Sequence, residues 1–181
     1  MTQIESTGSA ATTPQALVDG FTQLLTVTPL GDDRFLGKRQ PGGVGRVFGG
    51  EVIAQALMAA TAAVAPDRLA HSLHAYFLRG GSEDFDITYR VERDFDGGSF
   101  STRRVIAEQD GRPILNLAAS FHRLEAGVSH QDAMPDVPPP EDLPSEAEMR
   151  RAVLDQVPER FRHHMLRPRA VEFRPVEARH W

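Results

Sequence analysis

Between Val52 and Ala65 the chain runs for fourteen residues without a charged side chain, in the order Val-Ile-Ala-Gln-Ala-Leu-Met-Ala-Ala-Thr-Ala-Ala-Val-Ala. Ala, Leu and Met are strong helix formers, and the stretch is entered through Phe48-Gly49-Gly50-Glu51 and stopped by Pro66. The spacing therefore predicts one helix from about Gly50 to Val64. A helix apolar on every side asks to be buried on every side. It is shorter than the roughly 20 residues that cross a bilayer, so the wrapping has to be protein.

The following segment supplies a wrapper. From Leu69 to Leu124 four strand-like runs alternate with turn signals. Asp96-Gly97 separates Phe85–Phe95 from Ser99–Ala107, and Asp110-Gly111 separates that run from Pro113–Phe121, both as hairpin signatures. Phe85, Ile87, Tyr89 and Val91 share one face, with Asp84, Asp86, Thr88, Arg90 and Glu92 opposite. Leu115, Leu117, Ala119 and Phe121 repeat the pattern, which is that of half-buried antiparallel strands. The economical solution is an α+β fold, a long curved antiparallel sheet wrapped around a central Ala-rich helix.

Several function classes fall away on composition. The absence of cysteine removes disulfides, thiolate nucleophiles and Cys-ligated zinc. A net charge of −5 argues against nucleic acid as a partner. Met1 to Thr13 has neither a basic start nor an apolar core, so no signal peptide and no membrane partner are expected, and the location expected is cytoplasmic. Arg103-Arg104 and the stretch from Arg160 to Arg169 read as solvated basic faces.

Organisation along the chain is uneven. Residues 1–14 read as a disordered N-terminus, ending in Thr13-Pro14, which opens a short helix through about Leu25. Thr26–Leu30 and Arg34–Gly37 flank Gly31-Asp32-Asp33 as a small hairpin. The folded domain is expected over residues 15–125. Residues 126–169 form a Pro-rich linker with short helices, one of them opened by the capping box Ser145-Glu-Ala-Glu148 and running to about Gln156. Residues 170–181 read as extended, with strand character.

Motif tests narrow the chemistry. Gly43-Val-Gly45-Arg-Val-Phe48 lacks the third glycine of a dinucleotide fingerprint, and Gly50 is followed by Glu51 where a P-loop needs lysine. Gly97-Gly98-Ser99-Phe100-Ser101 lacks the closing glycine of a nucleophile elbow. His71 and His74, three apart on a strand, are expected to face opposite ways, and His163-His164 has no carboxylate at ligand spacing. No metal and no cofactor are expected.

The candidate binding residues gather around the apolar helix. Phe48, Gly49 and Gly50 stand at its mouth, where exposed N–H groups at a positive helix end suit a carbonyl oxygen or a phosphate; equally, glycines there let helix and sheet approach closely. Gln55 is the amide inside the apolar stretch, placed either to orient a water or carbonyl or to serve as a hydrogen-bonded core amide. His74 and Tyr76 share a strand face and either line a groove or pack amphipathically.

Longer blocks carry a resemblance. Arg46-Val-Phe-Gly-Gly-Glu-Val-Ile-Ala-Gln-Ala-Leu57, His71-Ser-Leu-His-Ala-Tyr-Phe-Leu-Arg79, Asp96-Gly-Gly-Ser-Phe-Ser-Thr-Arg-Arg-Val105 and Ala119-Ser-Phe121 resemble the N-terminal half of the acyl-CoA thioesterase II family. So do Met134-Pro135, Leu143-Pro-Ser-Glu146 and Arg174-Pro-Val-Glu177. The resemblance implies a hot-dog fold and hydrolysis of fatty acyl-CoA to free fatty acid and coenzyme A without a metal. It also implies that the water-activating Asp, Ser or Thr, and Gln belong to a second hot-dog repeat, of which residues 170–181 would be a truncated start. No position here inherits those catalytic roles. The expected partners are acyl-CoA and either a second copy of the chain or a second hot-dog repeat. The alternative is a non-catalytic half, an assembly or acyl-binding module for a partner that carries the chemistry.

Overall fold

The computed structural model describes residues 13–40 and 43–177. Its elements follow the hydrophobic pattern. Helix α1 (Pro14–Leu25) is followed by the hairpin β1 (Val27–Gly31) and β2 (Arg34–Gly37), the central helix α2 (Gly49–Ala62), and then β3 (Arg68–Phe77), β4 (Ile87–Asp96), β5 (Phe100–Gln109) and β6 (Arg112–Arg123). Contacts divide the chain into two compact units, Gly20–Val128 and a second one comprising the chain up to Asp19 and from Ser129 onward.

In the first unit the six strands form one antiparallel sheet in the order β1-β2-β4-β5-β6-β3, with α2 packed on one face. This is the hot-dog arrangement. Asp110 and Gly111 both adopt left-handed backbone (φ 47° and 68°), as a two-residue turn needs when its twist must match the flanking strands. Asp32 and Asp33 do the same between β1 and β2 (φ 51° and 53°). The hairpin is then tied to the sheet, because Arg93 donates to both carboxylate oxygens of Asp33 at 2.6 and 2.8 Å. At the Asp96-Gly97 signal the connection is longer, Gly97 to Ser99, and closes through Gly97 N–H to the Phe100 carbonyl at 2.8 Å.

The core lies between α2 and the inner face of the sheet. Ile87, Tyr89, Val91, Val105, Ala107, Leu115, Leu117, Ala119 and Phe121 meet Val52, Ala56, Ala59, Ala60 and Ala63. Alanines on that side of the helix let it lie close to the strands. Phe85 precedes β4 and is exposed, so the alternation begins two residues later than expected, at Ile87. Full enclosure of α2 is not what the sheet provides. Ile53, Ala54 and Leu57 are only half-buried, and Met58, Thr61 and Ala62 are exposed. A single sheet covers one side of a helix and leaves the other open.

Strand β3 forms one edge of the sheet. Its register with β6 puts Leu73, Ala75 and Phe77 on the helix side, yet Leu73 and Phe77 remain 44% and 55% exposed. A bulge between Ala70 and Ser72 adds a residue to the strand and shifts its alternation. His71 and His74 consequently share the outer face, against expectation: the His71 ring lies 4.8 Å from that of His122 and its Nε2 is 2.8 Å from Ser120 Oγ, while the His74 ring lies tilted, 4.6 Å from that of Tyr76.

In the second unit the capping box forms as written, the Ser145 hydroxyl accepting from Glu148 N–H at 3.2 Å and the Glu148 carboxylate accepting from Ser145 N–H at 2.7 Å. It opens α3 (Glu146–Ala152), which a 3₁₀ turn (Leu154–Gln156) continues before α4 (Glu159–Leu166). Residues 170–177 form no strand. They run as coil, Phe173 accepting from Glu146 N–H at 2.8 Å and Arg174 donating to the Pro140 and Leu143 carbonyls at 3.1 and 2.6 Å. The readings made for residues 1–12, for Pro41-Gly42 and for 178–181 lie outside the described residues, as do the side chains of His163 and His164.

Candidate functional site

Helix α2 begins without a side-chain cap. Phe48 stands at the N-cap in extended conformation, and its carbonyl accepts from Glu51 N–H at 3.0 Å and Val52 N–H at 3.3 Å. The N–H groups of Gly49 and Gly50 precede any intrahelical partner and point out along the positive end of the helix. Gly49 and Gly50 are crowded from the side. A Cβ on Gly49 would meet the Phe77 ring at 2.8 Å, and one on Gly50 would meet the Phe48 ring at 2.5 Å. Close approach is thus one reason for glycine here, and it leaves the donors of the helix start accessible.

An open cleft of about 440 Å³ lies against this helix start. Val52, Phe77 and Ile114 supply apolar walls, Gly49 and Gly80-Gly81 supply backbone, and Arg46 and Arg79 supply positive charge. Arg79 spends Nη1 on the Pro113 carbonyl, so neither guanidinium is held by a carboxylate among the described residues. Backbone donors, two cations and an apolar wall in one concavity can hold a molecule that joins an anionic head to an apolar tail.

Of the residues singled out in the sequence, Phe48, Gly49 and Gly50 are brought together at this mouth. Gln55 is not exposed to it. Its side chain is fully buried, with Oε1 accepting from the Tyr89 hydroxyl at 2.8 Å and Nε2 donating to the carbonyls of Leu24 (2.6 Å) and Lys38 (2.9 Å). The amide is spent on joining α1, the end of β2 and β4 to the helix, which is the core-amide reading. His74 stands apart from the mouth as well, because its strand position places it on the outer face of the sheet, opposite α2.

Other polar groups at the helix were missed. Arg103 reads as solvated in the sequence, but it is 1% exposed, on the inner face of β5 beneath the C-terminal end of α2. Arg104 faces the other way, paired with Glu92 and Asp94 at 2.6 and 3.2 Å. The signal was strand alternation: a hairpin that buries Val105 and Ala107 must also bury position 103. At the other end of α2, Glu51 and Glu83 are 5% and 8% exposed, and one oxygen of each has no hydrogen-bond partner among the described residues. Burial, reinforced by the charge of Glu83, lifts the Glu51 carboxyl to about 7. Among the described residues no three His, Asp or Glu side chains gather as metal ligands would.

The fold recurs in known proteins. A family model described as the acyl-CoA thioesterase N-terminal domain matches residues 38–122. Human acyl-coenzyme A thioesterase 8 is 44% identical over 123 residues, which are 67% of this chain and 39% of the relative. Acyl-CoA thioesterase 2 of Haemophilus influenzae is 38% identical over 158 residues, 87% of this chain and 55% of the relative. The crystal structure of the acyl-CoA thioesterase II TesB2 from Mycobacterium marinum matches with a TM-score of 0.61 at 45% identity, covering 67% of this chain and 46% of that one. The chain therefore spans about half the length, or less, of the relatives it matches. Residues 38–122 match the acyl-CoA thioesterase N-terminal domain, and the chain is similar to the N-terminal part of longer acyl-CoA thioesterases.

Proposed function

We propose that the chain takes part in the hydrolysis of fatty acyl-CoA to free fatty acid and coenzyme A, as the N-terminal hot-dog repeat of a two-repeat arrangement. The observation that carries this reading is the cleft at the start of α2. First-turn N–H groups at Gly49-Gly50 suit a thioester oxygen, and the Phe77 and Ile114 walls suit an apolar chain. Arg46 and Arg79 stand where an anionic group would enter. Phe48, Gly49 and Gly50 are the binding residues of this reading. Gln55 acts behind them by holding the helix in place, and His74 has no direct part.

Water activation is assigned to another hot-dog repeat. The family resemblance puts an Asp, a Ser or Thr and a Gln there, and the carboxyl nearest the mouth, Glu51, has its free oxygen buried. The open edge β3 and the uncovered side of α2 support pairing with that repeat, or with a second copy of the chain. A cytoplasmic setting fits a cysteine-free chain in whose described residues no helix is long and apolar enough to cross a membrane.

Release of CoA thiol from medium and long acyl-CoA separates this from the second reading, a purely non-catalytic assembly or acyl-binding module. The 181-residue chain alone should be nearly inert, since losing acid–base groups costs about 10²–10⁴ in rate. Supplying the second repeat in trans should restore turnover. Turnover by the chain alone at roughly 1 s⁻¹ or faster overturns the division of labour; no turnover in the mixture, with acyl-CoA still bound, favours the binding module.

A further inference from the structure

The outer face of the sheet, opposite α2, brings two imidazoles together from neighbouring strands. β6 turns Leu117, Ala119 and Phe121 to the core, so Ser120 and His122 face outward. On β3 the bulge between Ala70 and Ser72 carries His71 onto the same face, and the two rings lie 4.8 Å apart between centroids with their planes inclined at 74°. The partner of His71 is thus not His74, three positions along its own strand, but a residue of the next one. Phe100 of β5, opposite His122 in the register, packs against both, 5.8 Å from the His71 ring and 6.2 Å from the His122 ring. Three paired strands hold the two histidines, and no loop is involved.

Their nitrogens are available. His71 Nε2 is 2.8 Å from the Ser120 hydroxyl, while His71 Nδ1 and both ring nitrogens of His122 have no hydrogen-bond partner among the described residues. His71 is exposed and His122 half-buried, so an ion can reach them from solvent.

Geometry and ligand chemistry agree on what the pair can hold. An imidazole lone pair lies in the plane of its ring, so parallel stacked rings aim theirs side by side, whereas inclined planes let two lone pairs converge on one point. Two imidazoles sharing an ion at a metal–nitrogen distance of about 2.0–2.1 Å hold their centroids roughly 4.5–5 Å apart. The observed separation of 4.8 Å falls in that span. When His71 Nε2–H donates to the Ser120 hydroxyl, Nδ1 carries the lone pair, which is how an outer hydroxyl or carboxylate fixes the tautomer of a ligating histidine. Neutral imidazoles suit zinc, nickel and copper, whereas magnesium and calcium ask for oxygen ligands. No carboxylate joins the pair as a third ligand among the described residues.

We infer that His71 and His122 form a two-imidazole site for a divalent transition-metal ion of the zinc type, with water in the remaining positions. The ion clips the edge strand β3 to β6 beside the bulge that interrupts their pairing. The site stands on the face of the sheet away from the cleft at α2 and rests on no reading of that cleft.

Zinc chloride titrated into the full chain at neutral pH, followed in ¹H–¹⁵N correlation spectra of the imidazoles, tests the site. The ring resonances of His71 and His122 should move together to a common saturation point, those of His74 should stay in place, and magnesium chloride should move none of them. H71Q and H122Q should each weaken zinc binding by about tenfold or more, and S120A by about tenfold, while H74Q leaves it unchanged. Zinc should also raise the melting temperature of wild type and not that of H71Q. His71 lies on an exposed edge strand, so H71Q decides the matter if H122Q fails to fold. Independent titration of the two rings, zinc affinity unmoved in H71Q, or an equal loss in H74Q would each overturn the site. None of these readouts requires turnover.

Discussion

Arg103 grips the end of the central helix: its Nε and Nη2 donate to the Ala63 carbonyl at 3.1 and 3.0 Å. The same guanidinium donates to the carbonyls of Phe95 and Thr102 at 3.0 and 2.9 Å, and to Asp96 Oδ1 at 2.7 Å, where the Ser101 hydroxyl joins at 2.6 Å. A positive side chain under a helix C-terminus satisfies carbonyls that the helix leaves orphaned and opposes its dipole. Because Asp96 is itself half-exposed, the buried end of the network is mostly arginine to carbonyl.

That distribution makes the two partners unequal. Arg103→Met removes every donor and leaves buried carbonyls unsatisfied, an expected loss of about 2–4 kcal/mol in urea denaturation. Asp96→Asn keeps the arginine bonds to the backbone and should cost under about 1 kcal/mol. The hydrogen bond from Arg103, then that from Ser101, holds the Asp96 carboxyl below its ordinary range. Its contribution is therefore full above the usual carboxylate value and fades only as pH falls through the lowered one. Equal losses in the two variants would show that the side-chain pair dominates.

A second pair of variants tests the amide at the middle of the helix. Tyr89→Phe leaves Gln55 Oε1 buried without its donor, an expected cost of about 1–3 kcal/mol. Gly37→Ala should be worse, since its Cβ would fall 2.1 Å from Gln55 Oε1 and 2.6 Å from the Tyr89 ring, both of them enclosed. Melting of Gly37→Ala within a degree or two of wild type would mean that this layer is loosely packed.

One-sided burial of α2 predicts one-sided sensitivity. Ala60→Asp puts an unpaired carboxylate against the sheet, at a cost of several kcal/mol, on the order of loss of the fold. Leu57→Asp places the same group where the side chain is only half-buried and water can reach it, so about 1–2 kcal/mol is expected. If Leu57→Asp proves as damaging as Ala60→Asp, the exposed side of the helix is covered in solution.

Assembly is the natural cover. Leu69, Leu73, Tyr76 and Phe77 on β3 and Met58 on α2 are large apolar or aromatic side chains left open along one sheet edge and one helix side. Unpaired strand edges and contiguous apolar surface favour association. Light scattering at micromolar concentration should give a dimer or larger species, and a clean monomer would contradict the pairing described here.

Local chemistry made much of this protein legible before any contact was known. The uncharged Ala-rich run bounded by Gly49-Gly50 and Pro66, the Asp110-Gly111 turn, the Ile87-Tyr89-Val91 alternation and the Ser145–Glu148 capping box each act over a few residues, so periodicity and turn propensity alone placed them. The matching blocks around Phe48-Gly49-Gly50 pointed to the family for the same reason, being contiguous. What needed tertiary structure was everything decided by a neighbour distant in sequence. The bulge at Ala70/Ser72 moved His71 onto the face of His74, and pairing across β4, β5 and β6 drew Arg103 inward to Ala63. Folding also left one side of α2 bare because a single sheet has only one face to offer it. Burial and charge pairing are properties of the space between elements, and that space exists only once the sheet has closed over the helix.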